Sequence, residues 1–237
     1  MASIDELKRT LVDASAICEM EGLYEAFGHI SARIPGTDRI LMTPGAHPGG
    51  TKLSEILTLD LKGNVIRGRG KPNVELPIHT SVYRLREDVG SVVHVHPVRA
   101  VAFSLAGEEI RPMSFADSKF SPSVPIFGEP GAEVFIDSDE LGEKMAHALG
   151  RGVAVVIRGH GAVTVGESIE AACMTAVSLE KTAELQFMAS VLLLAAGTAA
   201  KGFQIPRLAE VKGEMKTFID RRQFNFYRAK LRKYLKE

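Results

Sequence analysis

The stretch Gly90-Ser91-Val92-Val93-His94-Val95-His96-Pro97 predicts a buried strand that presents two imidazoles on one side. Successive side chains of a strand point to opposite faces of the sheet, so His94 and His96 share one face and the neighbouring valines take the other. Pro97 lacks an amide donor and fits either the end of a strand or the first turn of a helix. We therefore expect His96 at the end of the strand, where a ligand can reach it.

Two imidazoles on one strand face are typical of an open divalent-metal site, in which about three protein ligands leave one coordination position vacant. A third ligand must then come from another part of the chain. The alternative is that His94 and His96 are hydrogen-bonded beneath a helix, since a His-x-His pair alone is a weak signal.

The segment Gly159-His160-Gly161 provides a candidate for the third ligand. It follows residues 153–157, which predict a buried strand, and precedes a second short strand predicted at 162–165. Glycine on both sides of His160 lets the backbone turn sharply and lets the imidazole approach a neighbouring element closely. A third ligand requires such an approach.

Glu75 lies just before a predicted helix that begins at Pro77. The positive end of that helix and a nearby metal cation would favour the ionised carboxylate, whereas a dry pocket would oppose it. The protonation of Glu75 is therefore open to adjustment toward proton transfer, and Glu75 is the candidate acid/base. His79 falls in the first turn of the same helix and is predicted to be a surface or helix-packing residue rather than a ligand.

The remaining pattern alternates predicted helices and strands, which is typical of an α/β domain. Helices are predicted at residues 4–21, 77–85, 98–105, 140–149, 169–195 and 221–233, the last with an apolar face of Phe224, Tyr227, Leu231 and Tyr234. Strand pairs are predicted at 27–34 with 39–42 and at 57–61 with 65–68, and a short strand at 124–127. Loop 43–51 offers amides and a hydroxyl suited to an anion, although a plain connecting turn fits its composition equally well.

Composition favours one domain with a small-molecule ligand. A chain of 237 residues, 45% of them hydrophobic, can build a single core, so we expect one domain over residues 1–237. Lys plus Arg and Asp plus Glu each number 29, and this balance argues against nucleic acid or an anionic membrane as partner. Cys18 and Cys173 are far apart in sequence and indicate neither a disulfide framework nor a thiolate zinc site. Without a signal region or a membrane-length apolar run, we expect a cytoplasmic protein.

Five blocks of the sequence together resemble the class II aldolase/adducin family, which contains sugar-phosphate aldolases, a 4-epimerase and metal-dependent decarboxylases. The blocks are Gly28-His29-Ile30-Ser31-Ala32-Arg33, Thr43-Pro44-Gly45, Pro72-Asn73-Val74-Glu75, Val93-His94-Val95-His96-Pro97 and Gly159-His160-Gly161. The resemblance spans residues 7–194. It implies a three-layer α/β/α sandwich with a mixed, largely antiparallel central sheet, and a homotetramer with sites near subunit boundaries.

The resemblance also implies a metal-dependent carbon-carbon lyase. His94, His96 and His160 would hold one divalent metal ion per subunit, zinc or manganese first, with cobalt or iron as alternatives. Glu75 would be the acid/base. A substrate with two adjacent oxygens would chelate the ion, which would stabilise the enediolate formed when a carbon-carbon bond breaks. Because this electron sink serves decarboxylation and retro-aldol cleavage equally, family membership leaves the reaction open.

Departures from the sugar-phosphate aldolases indicate the substrate. Those enzymes carry Asn where this chain has His29, and a Ser-Ser pair where it has Asn73-Val74, so two phosphate-binding hydroxyls are missing. His29, with Arg33 or His47, could bind a carboxylate by charge-assisted hydrogen bonds. The candidate substrate-binding residues are His29, Arg33, Thr43, Gly45, Asn73 and Asp117. We expect a small, oxygenated, non-phosphorylated carboxylic acid.

Two alternatives remain at this stage. Asp117 lies in a segment that resembles the one in which the epimerases place an acid/base, so a sugar-phosphate aldolase or 4-epimerase is the enzymatic alternative, and a loop or cap role for Asp117 is the simpler interpretation. A non-catalytic, adducin-like interaction module is the other alternative. Retention of Glu75 and all three histidines argues against it.

Overall fold

The computed structural model describes residues 3–24, 26–44, 50–131, 135–197 and 213–236. Gly45 and His47, predicted to lie in an anion-binding loop, fall outside the described residues. The helices are α1 (Ile4–Met20), α2 (Leu76–Leu85), α3 (Val98–Ala106), α4 (Asp139–Leu149), α5 (Ile169–Ala195) and α6 (Gly213–Tyr234). The strands are β1 (His29–Arg33), β2 (Arg39–Met42), β3 (Leu57–Asp60), β4 (Val65–Arg67), β5 (Ser91–Val95), β6 (Ile126–Phe127), β7 (Ala154–Ile157) and β8 (Gly161–Gly166).

The eight strands form one sheet in the order β4-β3-β2-β1-β5-β8-β7-β6. All neighbouring strands are antiparallel except β6 and β7, which are parallel. Strand β5 lies near the middle, between β1 and β8, and its register places His94 opposite His29 on one side and Val163 on the other. The predicted mixed, largely antiparallel sheet is confirmed.

Side-chain alternation along β5 separates two hydrophobic cores. Val93 and Val95 belong to one core, with residues of α1, α3, α5 and α6, whereas Val92 belongs to the other, with residues of α2 and α4. Since β-branched side chains pack well on both faces of a pleated strand, this short segment contributes to the hydrophobic cores on both sides of the sheet. The predicted three-layer α/β/α sandwich is confirmed, and His94 faces the α2/α4 side with Val92.

Local sequence explains where the helices begin. Ser3 caps α1: its hydroxyl accepts from the Glu6 amide at 3.2 Å, and the Glu6 carboxylate accepts from the Ser3 amide at 2.7 Å, a reciprocal capping box. Pro77 lies in the first turn of α2, where its missing amide proton is not needed, so Glu75 becomes the N-cap residue. The helix start therefore places Glu75 beside His94, near the C-terminal end of the central strand β5.

The C-terminal helix differs from its prediction. It begins at Gly213 rather than residue 221, and Tyr234 is 57% exposed, whereas Phe224, Tyr227 and Leu231 are buried as predicted. One turn before Tyr234, Lys230 pairs at 2.5 Å with Glu21, the C-cap residue of α1. In the described part of the chain, no helix is long and apolar enough to cross a membrane.

We expect Gly142→Ala to destabilise the fold. A Cβ on Gly142 would lie 2.6 Å from the Pro77 carbonyl oxygen and 2.6 Å from the Ser81 hydroxyl, so α4 would have to move away from α2. Overpacking of this kind lowers the free energy of unfolding by about 1–3 kcal/mol, measured by urea denaturation. His147→Ala, on the exposed side of the same helix, is the control, and equal stability of the two variants would contradict the packing argument.

Candidate metal centre

Strand β5 and the residue after it bring two imidazoles together. The Nε2 atoms of His94 and His96 are 3.1 Å apart, and the rings stand nearly perpendicular at 87°. His94 is fully buried in the strand, whereas His96, just beyond its last residue, is half-buried. This difference follows from the position of Pro97, which starts the turn into α3 and leaves His96 at the open end.

His160 enters the cluster from the turn between β7 and β8. Gly159 has a φ of +66°, the left-handed conformation that favours glycine, and its turn points the His160 ring back toward β5. The His160 ring centroid lies 5.1 Å from that of His94 and 5.3 Å from that of His96. One ligand atom from each of the three histidines lies within 4.8 Å of the others, which is close enough to share one metal ion.

Glu75 completes the cluster from the start of α2. Its Oε2 lies 3.4 Å from His94 Nε2, and its Oε1 lies 3.6 Å from His160 Nε2. The Asn73 side-chain oxygen accepts the Glu75 amide at 2.9 Å and holds the chain in position before the helix. Glu75 is only 5% exposed, and its Oε1 has no hydrogen-bond partner among the described residues.

The electrostatics of the cluster match a divalent cation. Burial, followed by the neighbouring imidazoles, holds the pKa of His94 well below its usual range, and burial with the nearby His160 lowers the pKa of His96 to about 4. Both rings are therefore neutral and offer lone pairs, as metal ligation requires. A buried carboxylate oxygen without a hydrogen-bond donor needs a cation to offset its desolvation. Imidazole and carboxylate donors together suit zinc, manganese, cobalt or iron.

A cavity of about 970 Å³ opens beside Glu75, His96 and His160. Its walls include four exposed apolar side chains, and the Arg158 guanidinium supplies a positive charge. The apolar residues are Phe27, Val74, Leu105 and Phe135. Phe135 stacks on His160 with a centroid distance of 6.0 Å and an angle of 24°. The cavity therefore has largely apolar walls and reaches the imidazole cluster at His96 and His160.

Two predicted substrate-binding residues lie close to Glu75. Asn73 lines the cavity. His29 is fully buried behind Glu75, with its Nε2 3.7 Å from Glu75 Oε2, so it is part of the cluster but does not line the cavity.

Three other predicted residues are placed elsewhere. The Thr43 hydroxyl accepts a hydrogen bond from the Ile30 amide at 3.0 Å and is fully buried, so it stabilises the backbone of β1. The Arg33 guanidinium donates to the Tyr83 carbonyl at 2.8 Å, at the far end of β1 from the cluster. The Asp117 carboxylate accepts the Ser114 hydroxyl at 2.6 Å, within a 3-10 helix, Phe115–Phe120, that does not line the cavity.

His79 is predicted as a surface or helix-packing residue rather than a ligand, and it is fully buried on α2. Its hydrogen bond to His29, with His79 Nε2 2.6 Å from His29 Nδ1, was not predicted. The signal was its spacing: His79 follows Glu75 by four residues, which puts both on one face of α2. Arg158 was missed as well, although it directly precedes the Gly159-His160-Gly161 segment.

Fold and site together define an α/β/α sandwich with an open imidazole and carboxylate centre at the C-terminal end of its central strand β5. A family model, the class II aldolase and adducin N-terminal domain, matches residues 9–187, and the chain belongs to this family. The resemblance stated from the sequence is therefore confirmed.

Three similar proteins of this family are lyases. The chain is 35% identical over 195 residues to a 3,4-dihydroxyphthalate decarboxylase of Arthrobacter keyseri, covering 78% of this chain and 77% of the relative. It is 32% identical over 213 residues to the enzyme of that name from Terrabacter sp., covering 81% and 83%. The solved L-fuculose-1-phosphate aldolase of Thermus thermophilus superposes with a TM-score of 0.68 at 27% identity, covering 81% and 97%. The chain is an enzyme, a lyase of the class II aldolase type.

We expect Gly161→Ala to lower the metal content of the protein. A Cβ there would lie 2.6 Å from the Val95 carbonyl oxygen and 2.7 Å from His96 Cδ2, so the His96 ring would be displaced. Metal bound per subunit, measured by mass spectrometry on protein purified without chelator, should fall by half or more. Gly152→Ala, where the added Cβ lies 3.0 Å from the Leu149 carbonyl oxygen and away from the rings, should leave it unchanged. Equal metal content in both variants would contradict this account of the glycine.

Proposed function

We propose that this lyase is a divalent-metal-dependent decarboxylase of a small, oxygenated, non-phosphorylated aromatic carboxylic acid. His94, His96 and His160 are the proposed ligands, with zinc or manganese as the ion, and Glu75 is the proposed acid/base. The observation that carries the proposal is the apolar lining of the cavity beside Glu75, where Val74 and Phe135 offer a hydrocarbon wall and no hydroxyl for a phosphate.

The wall at Asn73-Val74 supports a non-phosphorylated substrate. Val74 is 67% exposed and lines the cavity, and a hydrocarbon side chain there cannot donate a hydrogen bond to a phosphate. Phe135, 45% exposed on the same wall, offers a flat face to an aromatic ring. Both contacts would stabilise a bound aromatic acid, whereas neither would stabilise a bound sugar phosphate.

Arg158 is the proposed anchor for a substrate carboxylate. Its Nε donates to the Gly128 carbonyl at 2.8 Å, which holds the guanidinium in place before a substrate arrives. A guanidinium binds a carboxylate through charge-assisted hydrogen bonds, and a preorganised one loses little side-chain entropy on doing so. This residue takes the place that the sequence-based hypothesis gave to Arg33.

The relatives named for 3,4-dihydroxyphthalate support a particular substrate class. That molecule has two adjacent ring oxygens and two carboxylates, so it offers a chelating edge for the metal and an anionic edge for Arg158. We propose an aromatic acid with vicinal hydroxyls as the substrate, and 3,4-dihydroxyphthalate as the first compound to test.

The chain's own residues account for proton transfer. When bound, the metal would supply Lewis-acid polarisation of the substrate oxygens. In the decarboxylation step the carbon-carbon bond breaks, carbon dioxide leaves, and the electron pair stays on the ring carbon. Glu75 Oε1, the carboxylate oxygen near His160, takes a proton from a substrate hydroxyl and delivers it to that carbon, and the product oxygen later regains a proton from solvent.

The remaining proposals concern assembly and location. We propose a single domain over residues 1–237, a homotetramer with sites near subunit boundaries, and a cytoplasmic location. Support for an assembly comes from apolar side chains exposed along the second half of α5, which are Leu185, Phe187, Met188, Val191, Leu192 and Leu194. Cys18 and Cys173 are free thiols 3.9 Å apart, which is consistent with a reducing compartment.

A substrate panel tests the reaction. We expect carbon dioxide release from 3,4-dihydroxyphthalate with kcat/KM at least tenfold above that for any sugar phosphate. Phthalate, which keeps both carboxylates and lacks both hydroxyls, should not react, because it offers no chelating oxygens. Carbon dioxide and aldehyde are assayed separately. Aldehyde release from L-fuculose 1-phosphate without activity on the acids would establish the aldolase alternative instead.

Two variants distinguish the proposed role of His96 as a metal ligand from that of Glu75 as the acid/base. His96→Ala should lose both metal and activity while the free energy of unfolding changes little, because the ring is half-buried at a strand end. Glu75→Gln should keep the metal and lose about 10²–10⁴ in kcat, as expected for a general acid/base. Asp117→Asn is the control and should stay within twofold of the parent. A loss in Asp117→Asn as large as that in Glu75→Gln would favour an epimerase-type acid.

A further inference from the structure

Behind Glu75, four buried side chains form an unbroken hydrogen-bonded chain, here called the relay and consisting of His29, His79, Ser31 and Tyr83. His29 Nδ1 lies 2.6 Å from His79 Nε2, and His79 Nδ1 lies 2.6 Å from the Ser31 hydroxyl. The Ser31 hydroxyl lies 2.8 Å from the Tyr83 hydroxyl. None of the four residues is more than 1% exposed. The relay is therefore shielded from bulk water.

The relay arises from a match between the spacings of a strand and a helix. On β1, His29 and Ser31 are two residues apart and share a face, a separation of about 6.6 Å. On α2, His79 and Tyr83 are four residues apart and share a face, a separation of about 6 Å. Glu75 precedes His79 by the same four residues. The two rows of side chains therefore interleave, and the relay ends at Glu75.

The carboxylate of Glu75 sets the direction of the hydrogen bonds. Glu75 Oε2 lies 3.7 Å from His29 Nε2, and a carboxylate oxygen can only accept, so a proton on His29 Nε2 gives an attractive contact and a lone pair there a repulsive one. His29 Nδ1 then accepts from His79 Nε2–H, His79 Nδ1 accepts from the Ser31 hydroxyl, and the Ser31 oxygen accepts from Tyr83. Burial holds the pKa of His79 well below its usual range, which favours its neutral form with one proton.

The last link in the relay is His29. Its Nε2 has no hydrogen-bond partner among the described residues, and Glu75 Oε2 lies 3.7 Å from it. A shift of less than 1 Å would bring the two atoms to ordinary hydrogen-bond distance, about 3 Å.

We propose that His79, Ser31 and Tyr83 are positioning residues that fix His29 as an Nε2–H donor to Glu75 Oε2. A protonated Nε2 has no lone pair for a metal, so His29 is not a ligand, although His29, Glu75 and His94 also lie close enough to be considered as a metal group. With Oε2 occupied by His29, Oε1 is the carboxylate oxygen left for proton transfer. This last step rests on the proposed function, whereas the tautomers of the two rings do not.

Nitrogen NMR of the zinc-loaded protein tests the tautomers directly. In protein labelled with ¹⁵N-histidine, we expect His29 and His79 both to be neutral with the proton on Nε2. Tyr83→Phe removes the first donor, so a population of His79 with the proton on Nδ1 should appear. Tyr24→Phe deletes a buried hydroxyl outside the relay and should leave both rings unchanged. Either ring found with its proton on Nδ1 in the parent protein would overturn the proposal.

Two substitutions of His79 test the effect on Glu75. Glutamine carries its amide nitrogen near the place of Nε2 and can still donate to His29, whereas asparagine carries it near Nδ1 and cannot. We expect His79→Gln to keep kcat within about threefold and His79→Asn to lower it tenfold or more. KM and metal content should be unchanged in both variants.

The experiments on the relay and on the proposed function have independent outcomes. Equal losses of kcat in His79→Gln and His79→Asn would overturn the positioning role even if the parent protein is an active decarboxylase. If the parent protein decarboxylates none of the acids, the proposed function fails, while the ring tautomers still decide whether the relay is oriented as proposed.

Discussion

The structure depends on keeping five imidazoles and a carboxylate together in a largely buried cluster against the sheet. Burial favours neutral rings at His94, His96 and His79, and it leaves the Glu75 carboxylate in need of positive charge. A buried ion without compensation is far more unfavourable than a buried methyl group. A divalent ion held by the proposed ligands would supply that charge between the end of β5 and the turn that precedes β8.

Helix α2 joins the chemistry to the fold. Its N-cap residue is Glu75, and its buried face continues through His79 to Tyr83, so the positions of these three side chains are set by a single rigid element. The same helix packs on α4 through Gly142, where no room exists for a methyl group. A displacement of α2 would therefore move the carboxylate and the relay together, and this coupling explains why the packing of a distant glycine bears on the site.

Most of the fold was predictable from the sequence, because strand alternation and helix capping are local signals. The hairpin of β1 and β2, the buried β5, and the start of α1 at Ser3 follow from residues close in sequence. The convergence of β5 with the glycine-flanked turn required the family resemblance. Arg33 lies away from the cluster because two residues four apart on a strand, such as His29 and Arg33, are about 13 Å apart, however close they are in sequence.

The relay and the cavity walls could not be predicted because they depend on which elements face each other. Helical spacing places His79 on the face of Glu75, but it does not say that His29 and Ser31 of β1 lie opposite. Phe27, Leu105 and Phe135 come from three separate parts of the chain and meet only in the folded molecule. Contacts of this kind carry no periodic signal in sequence.

The imidazoles of the proposed metal ligands lie on strands of the sheet or next to them, whereas Phe27 and Phe135 of the cavity wall lie on loops. This difference matters for changing the substrate selectivity of the protein. His94 is part of β5, and Gly161 begins β8, where added bulk meets backbone, so this inner part tolerates little change. Phe27 and Phe135 lie outside helices and strands and are largely exposed. Directed evolution toward bulkier or differently charged acids should therefore begin with libraries at these two outer positions, where new selectivity can arise without dismantling the reaction centre.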